Sequence, residues 1–161
     1  MNNRQVERAL KNQHVEAICA DELKRPDRPR TYVVNTDPCS RPGTHWTVCH
    51  FPARGPPEFF DSLGNRPQDY HRRFEEVLGS TYLYTPDAIQ PADSDTCGAY
   101  CIHFVRQRYR SRTFQEILNE FSTVDLKTND RKVKNFIRER DDTKPQEWSA
   151  RTAHRVASDG K

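Results

Sequence analysis

The chain has 161 residues, enough to bury one core and too few for two. Hydrophobic residues make up 34%, charged residues 30%, and the net charge is +3, too mild a balance to mark a nucleic-acid-binding protein by itself. No apolar run reaches membrane-spanning length and no secretory leader pattern opens the chain, so neither a membrane protein nor a secreted one is expected.

Asn3 to Leu23 is expected to be helical, on the apolar positions Val6, Leu10, Val15 and Ile18. Pro26 and Pro29, with the charges around them, make a connector. Thr31 to Thr36 is a β-rich run closed by the turn formers Asp37 and Pro38. After Pro42 and Gly43, the stretch His45 to Phe51 is apolar on both faces, which places it centrally in a sheet covered on both sides. A turn at Arg54 to Pro57 leads to a third strand, Glu58 to Ser62, the hairpin partner of the second.

A helix starting at Gly64 or Asn65, with Pro67 in its first turn, presents Tyr70, Phe74, Val77 and Leu78 and ends at Gly79. Thr81 to Thr85 is a fourth strand, which Ala88 to Gln90 either continues or follows with a fifth. From Cys97 the chain turns helical, with Cys101, Phe104, Val105 and Arg108 at three-to-four spacing. Ser111 or Arg112 caps a further helix with the stripe Phe114, Ile117, Leu118 and Phe121. Asn129 caps a last one carrying Val133, Phe136 and Ile137. Beyond Asp141 only Trp148 and Val156 could anchor anything. The expectation is one α+β domain over 1–140, a central mixed sheet flanked by helices, followed by a mobile polar tail over 141–161.

The chemistry concentrates in the run from Ile89 to Cys101, read with Thr44-His45-Trp46 upstream. Cys97 lies between a polar loop and an amphipathic helix, where unpaired N–H groups and the positive dipole end favour thiolate. Taken alone it would be read as a buried structural cysteine. His45 opens a strand just after a turn, well placed to project an imidazole into a cleft. His50 alternates to the opposite strand face, and His103 points away from the start of the Cys97 helix. Asp61 ends the neighbouring strand and can fix the imidazole tautomer, although a turn aspartate is the plainer explanation of such a residue. Gln90 stands seven residues before Cys97 and can aim an amide N–H at a developing oxyanion. Together Cys97, His45, Asp61 and Gln90 supply nucleophile, base, orienting acid and oxyanion donor, the requirements of a cysteine protease.

Two other constellations carry less. Cys97, Cys101 and His103 do not form a zinc site on this reading, because the histidine faces away and no CxxC pair exists. The basic run Arg106 to Arg112, with Tyr109 inside it, is a solvated helix end or a contact to a phosphate backbone. The five cysteines, Cys19, Cys39, Cys49, Cys97 and Cys101, are odd in number and lack tight pairing, which fits a reducing compartment better than a disulfide framework.

At these residues the chain resembles the adenovirus protease (adenain) family. Val34-Asn35-Thr36, His45-Trp46, Phe60-Asp61 with Gly64, Gln90, and Cys97-Gly98 with Cys101 follow that family's order and spacing, over roughly Thr31 to Phe104. The resemblance implies a papain-like catalytic arrangement in permuted order, with histidine before cysteine. It implies an endopeptidase acting on viral capsid or core precursors, in the virion and in the host nucleus or cytoplasm. Carried over, Cys97 is the nucleophile, His45 the general base and acid, Asp61 the orienting acid and Gln90 the oxyanion donor. No cofactor is needed for that chemistry, a monomer is expected, and activation by DNA at a basic surface or by a peptide is left open. The chain departs from the adenoviral pattern in having Asp61 where a glutamate stands. It also has no cysteine between Gly79 and Thr85 to hold an activating peptide by a disulfide. A protease of a related virus or virus-like mobile element fits those differences. The run Phe59 to Gly64 also resembles the Ulp/sentrin deconjugases of ubiquitin-like modifiers, whose glutamine stands one residue closer to the cysteine. A capsid- or DNA-associated module that kept the fold and lost activity is the non-enzyme alternative, and four intact chemical roles argue against it.

Overall fold

A mixed sheet of five strands, in the order β1-β2-β3-β4-β5, organises the fold in the computed structural model, which describes residues 1–138. The strands are β1 (Glu16–Cys19), β2 (Arg30–Asn35), β3 (Trp46–Phe51), β4 (Glu58–Phe60) and β5 (Leu83–Tyr84). The three middle strands run antiparallel, with Val33 opposite Val48 and Val48 opposite Phe60, while β1 and β5 join the edges in parallel. The helices are α1 (Asn3–Ala9), α2 (Arg73–Leu78), α3 (Cys97–Arg108), α4 (Phe114–Leu118) and α5 (126–138). The architecture is α+β, and β3 is the middle strand, as its two-sided apolar pattern predicts.

Alternation along β3 divides the core. Trp46 and Val48 join Val33 and Phe60 against α1, α3, α4 and α5, while Cys49 and Phe51 join Tyr32, Val34 and Phe59 against α2. Phe60 stacks on Phe104 of α3 at 4.5 Å, and Phe59 meets Phe74 of α2 edge-on at 5.5 Å on the other face. The hairpin is thereby clamped from both sides at the end that carries His45 and Asp61.

Several elements differ from their sequence expectation. The helix expected from Asn3 to Leu23 stops at Ala9: Asn2 and Gln5 form its capping box, and His14 adopts a left-handed backbone at φ 52°. Glu16 to Cys19 then pairs with β2, so sheet hydrogen bonds overrule residues that are acceptable in a helix. The segment from Gly64 makes a 3-10 turn at Pro67–Asp69 before the short α2, which Gly79 closes at φ 76° as expected. The fourth strand shortens to two exposed residues, Leu83 and Tyr84, and Ala88 to Gln90 adds no strand. Thr113, rather than Ser111 or Arg112, caps α4 through a capping box with Glu116. Asp125 accepts the Thr128 N–H at the start of α5, and Asn129 is a buried residue inside that helix. The cysteine expectation also changes, because Cys19 and Cys39 form a disulfide across 20 residues. The end of β1 and the β2–β3 loop bring their Cα atoms to 5.2 Å, a proximity made by tertiary pairing and invisible in the spacing. The tail expected from Asp141, with Trp148 and Val156, lies outside the described residues. Among the described residues no helix is long and apolar enough to cross a membrane.

Candidate active site

His45 lies one residue ahead of β3, anchored where its carbonyl accepts the Thr36 N–H at 3.0 Å. Asp61 follows β4 directly. Extending the β3–β4 register sets Asp61 opposite Thr47, one same-face step from His45. A tight turn follows, in which the Gly64 N–H bonds the Asp61 carbonyl at 2.9 Å. Gly64 has φ 72°, and a Cβ there would come within 2.5 Å of the Asp87 and Ala88 backbone, so only glycine fits. The sheet thus delivers His45 and Asp61 to one corner, and α3 begins beside it with Cys97.

His45 Nε2 meets Asp61 Oδ1 at 2.6 Å, with the carboxylate fully buried and the imidazole nearly so. Cys97 acts on the same ring, its contact and charge both favouring the imidazolium. Asp61 is held by three further bonds. The Leu63 N–H donates to Oδ1 at 2.9 Å, the Tyr70 hydroxyl to Oδ2 at 2.5 Å, and the Asp61 N–H reaches Thr85 Oγ1 at 3.1 Å. Cys97, His45 and Asp61, the residues expected to act together, are therefore brought to one corner.

The electrostatics of the pair run in matching directions. Burial by itself would push His45 toward the neutral form, but its hydrogen bonds to Asp61 and Cys97, together with their charges, raise its pKa to about 9. Burial by itself would raise the Cys97 pKa; the His45 hydrogen bond, the Trp46 and Gly98 N–H groups and the imidazolium charge together bring it below the usual thiol value. A thiolate–imidazolium pair is the state these contacts favour. Cys101, one turn along α3, is fully enclosed, and burial drives its thiol well above the usual range. It is an inert thiol.

The competing histidines are otherwise engaged. His50 Nδ1 lies 2.7 Å from Thr31 Oγ1, and burial followed by the Arg108 charge lowers its pKa to about 4. His103 bonds Glu120 at 2.9 Å and stacks on Phe136 at 4.7 Å. Of the four arginines in the basic run, Arg106 donates to the Ala9 carbonyl, Arg108 forks onto Glu58, and Arg112 pairs with Glu120. Much of that run therefore holds the helices together. Among the described residues, one grouping of possible metal ligands lies within reach, Cys19, Glu22 and Cys39, and its two sulfurs are bonded to each other.

Gln90 sits in the loop that leads to Cys97, almost completely buried. Its Oε1 accepts from Ser62 at 2.5 Å, and its Nε2 donates to the Ser94 carbonyl at 2.9 Å and the Ser94 hydroxyl at 3.2 Å. The amide ties the loop after β4 to the loop before α3. Its N–H groups are on Ser94 in this structure.

Three contacts at the site had no sequence signal. Tyr70 reads as one more apolar helix position, and only the fold turns its hydroxyl to Asp61. The Trp46 backbone N–H on the sulfur is a property of where β3 starts. Met1 packs over Gly98: a Cβ on that glycine would lie 2.8 Å from the Met1 sulfur, and the Trp46 indole N–H donates to the Met1 carbonyl at 3.0 Å.

No protein-family model matches the chain. No curated protein matches it either. Two crystal structures of the ASFV pS273R protease are similar to it. One, with selenomethionine, aligns at 22% identity and TM-score 0.42 over 65% of this chain and 43% of that one. The other aligns at 17% identity and TM-score 0.48 over 76% of this chain and 60% of that one. The chain thus spans between two-fifths and three-fifths of the length of those proteases.

Proposed function

We propose that the chain is a cysteine endopeptidase of a virus or virus-like element, cleaving capsid or core precursor proteins during maturation. The observation that carries the reading is the line Cys97–His45–Asp61, with His45 Nε2 2.6 Å from a fully buried carboxylate and the thiol at the first residue of α3. The thiolate attacks the scissile carbonyl, forming the Cys97 S–C bond. The imidazolium gives its proton to the departing amine, and the neutral ring then takes one from the water that releases the acyl group. Asp61 holds the tautomer throughout. The Cys97 backbone N–H, at a helix start, is one oxyanion donor, and Gln90 is the second once substrate draws its amide from Ser94. The viral precursor substrates, a virion or host-cell setting, a monomeric state and an activating DNA or peptide come from the adenain resemblance.

The deconjugase reading is kept on a specific observation, the strand residues Phe59 and Phe60 followed by Asp61 and a turn that only Gly64 permits. One experiment separates the readings. Fluorogenic peptides rich in glycine before the scissile bond are incubated with wild type and Cys97→Ser, with and without DNA, beside intact ubiquitin-like modifier precursors. Peptide cleavage lost in Cys97→Ser is the expected result. Cleavage of modifier precursors alone would replace it with the deconjugase, and no thiol-dependent cleavage of either would leave the inactive module.

A further inference from the structure

The catalytic line does not stop at Asp61. Its second oxygen, Oδ2, accepts from the Tyr70 hydroxyl at 2.5 Å, and that hydroxyl accepts from Asn65 Nδ2 at 3.0 Å. The Tyr70 ring is fixed by neighbours on the α2 face of the sheet, with centroids 6.4 Å from Phe59, 6.2 Å from Phe74 and 5.9 Å from His45. The half-buried phenol accepts from Asn65, which leaves its own proton for the Asp61 carboxylate, a strong acceptor.

We propose that Tyr70 is the positioning residue of this site, fixing the Asp61 carboxylate through Oδ2 so that Oδ1 faces His45, with Asn65 aiming the phenol. The proposal rests on the cysteine-protease reading of Cys97, His45 and Asp61 and adds residues that act through them.

Three observations support a positioning role over a merely structural one. Asp61 has two oxygens, and the Leu63 N–H and His45 both use Oδ1, so among the described residues Tyr70 alone holds Oδ2. A carboxylate free at one oxygen can rotate about its last bond, and an imidazole that follows it leaves the sulfur. Burial first, then the hydrogen bond and charge of Asp61, raises the Tyr70 pKa well above the usual phenol, so the hydroxyl remains a donor wherever the enzyme works. The charged groups that bear on the relay are Asp61 and Cys97 at His45, and Asp61 and Asp69 at Tyr70; Asp69 acts on the phenol from the adjoining 3-10 turn. Asp69 also holds the Arg66 N–H at 3.0 Å, which fixes that turn and leaves the phenol to Asp61 and Asn65.

The test is the rate of Cys97 alkylation by iodoacetamide against pH, in wild type, Tyr70→Phe and Asn65→Ala, followed by kcat and KM on a cleaved peptide. Alkylation needs no substrate, so it reads the relay even in a protein that cleaves nothing. Tyr70→Phe keeps the ring packing and removes one hydroxyl. With one donor fewer, the carboxylate draws the imidazolium proton more strongly, so the upper inflection of the alkylation profile, where the ion pair gives way to free thiolate, moves up. On a cleaved peptide kcat falls about tenfold at unchanged KM, the scale of one charge-assisted hydrogen bond. Asn65→Ala, at an exposed side chain, gives a smaller change in the same sense and serves if Tyr70→Phe does not fold. Profiles of the folded variants that superpose on wild type would overturn the proposal. Thiol-dependent cleavage failing in all three proteins while their alkylation profiles differ would instead remove the protease reading and leave the relay standing.

Discussion

Gln90 and Ser94 are joined twice, through the Ser94 carbonyl at 2.9 Å and its hydroxyl at 3.2 Å, both bonds made by the amide nitrogen expected to serve an oxyanion. On the proposed mechanism the amide has two jobs in sequence, holding the loop in the free protein and turning to the substrate during reaction. Gln90→Ala is expected to lower kcat by about 10²–10³, with a loss of stability of about 1–3 kcal/mol because the Ser62 hydroxyl loses its buried partner. Ser94→Ala keeps the carbonyl bond and removes the weaker bond to Gln90 together with the hydroxyl's 2.7 Å contact to Thr96, and should retain turnover near wild type. Steady-state kinetics with thermal melts on both variants check this; a Gln90→Ala enzyme as fast as wild type would leave the oxyanion to backbone N–H groups alone.

A second prediction follows from the matched shifts at His45 and Cys97. The His45 pKa is raised from 6.5 to about 9, so the imidazolium is fully present below pH 6.5 and is lost as pH rises through about 9, which sets the upper limit of the ion pair with Cys97. The Cys97 pKa moves the other way, so its thiolate persists at pH values where an ordinary thiol is neutral. The kcat/KM profile should show a plateau with an alkaline limb near 9, and thiolate absorbance should persist below the usual thiol range. These are properties of the pair and should shift together when either partner is changed. An alkaline limb near 6.5 would mean that Asp61 does not raise the imidazole pKa.

Asp61→Asn bears on that coupling. The amide can keep a bond to the Leu63 N–H but carries no charge for the imidazolium and presents donors where acceptors are needed toward Tyr70. Turnover should fall by up to about 10⁴, as for loss of an orienting carboxylate, and the alkaline limb should move down. The fold should survive, since the strands and the Gly64 turn do not depend on the charge. Soluble protein with a wild-type melt and collapsed activity is the expected pair of results, whereas insoluble protein would make Asp61 a structural turn residue first.

The fold and the site were legible to different depths. β3 declared its central place because both faces are apolar, and the corner that joins His45 to Asp61 followed from treating β3 and β4 as a hairpin. α3 was readable from the three-to-four spacing after Cys97. β1 was not, because Glu16 to Cys19 is short, compatible with a helix, and made a strand only by the hydrogen bonds of β2. The Cys19–Cys39 disulfide and the Tyr70–Asp61 bond were illegible for the same reason: each joins segments whose proximity exists only after the sheet has formed. At Gln90 the residue type suggested a donor, but the choice between substrate and Ser94 is a matter of distance, which a sequence does not carry.

The last prediction concerns Met1. Its carbonyl is held by the indole N–H of Trp46, the residue after His45, and its sulfur occupies the space over Gly98, the residue after Cys97. The side chain is still more than half exposed, so it is held by part of its surface only. At about 25 cal/mol per Å² such a contact contributes on the order of 1 kcal/mol, a factor of about five in the population of the covered state. Met1→Gly, prepared from a fusion cleaved to leave glycine, keeps the carbonyl and the Asn2 cap of α1 while clearing the space over Gly98. Alkylation of Cys97 should then accelerate about fivefold, and kcat/KM should rise through KM, because what is removed competes with substrate and takes no part in the chemistry. Unchanged alkylation would place Met1 to one side of the thiol. Slower alkylation with a lower melting temperature would mean that Met1 stabilises the start of α3 and leaves the cleft open.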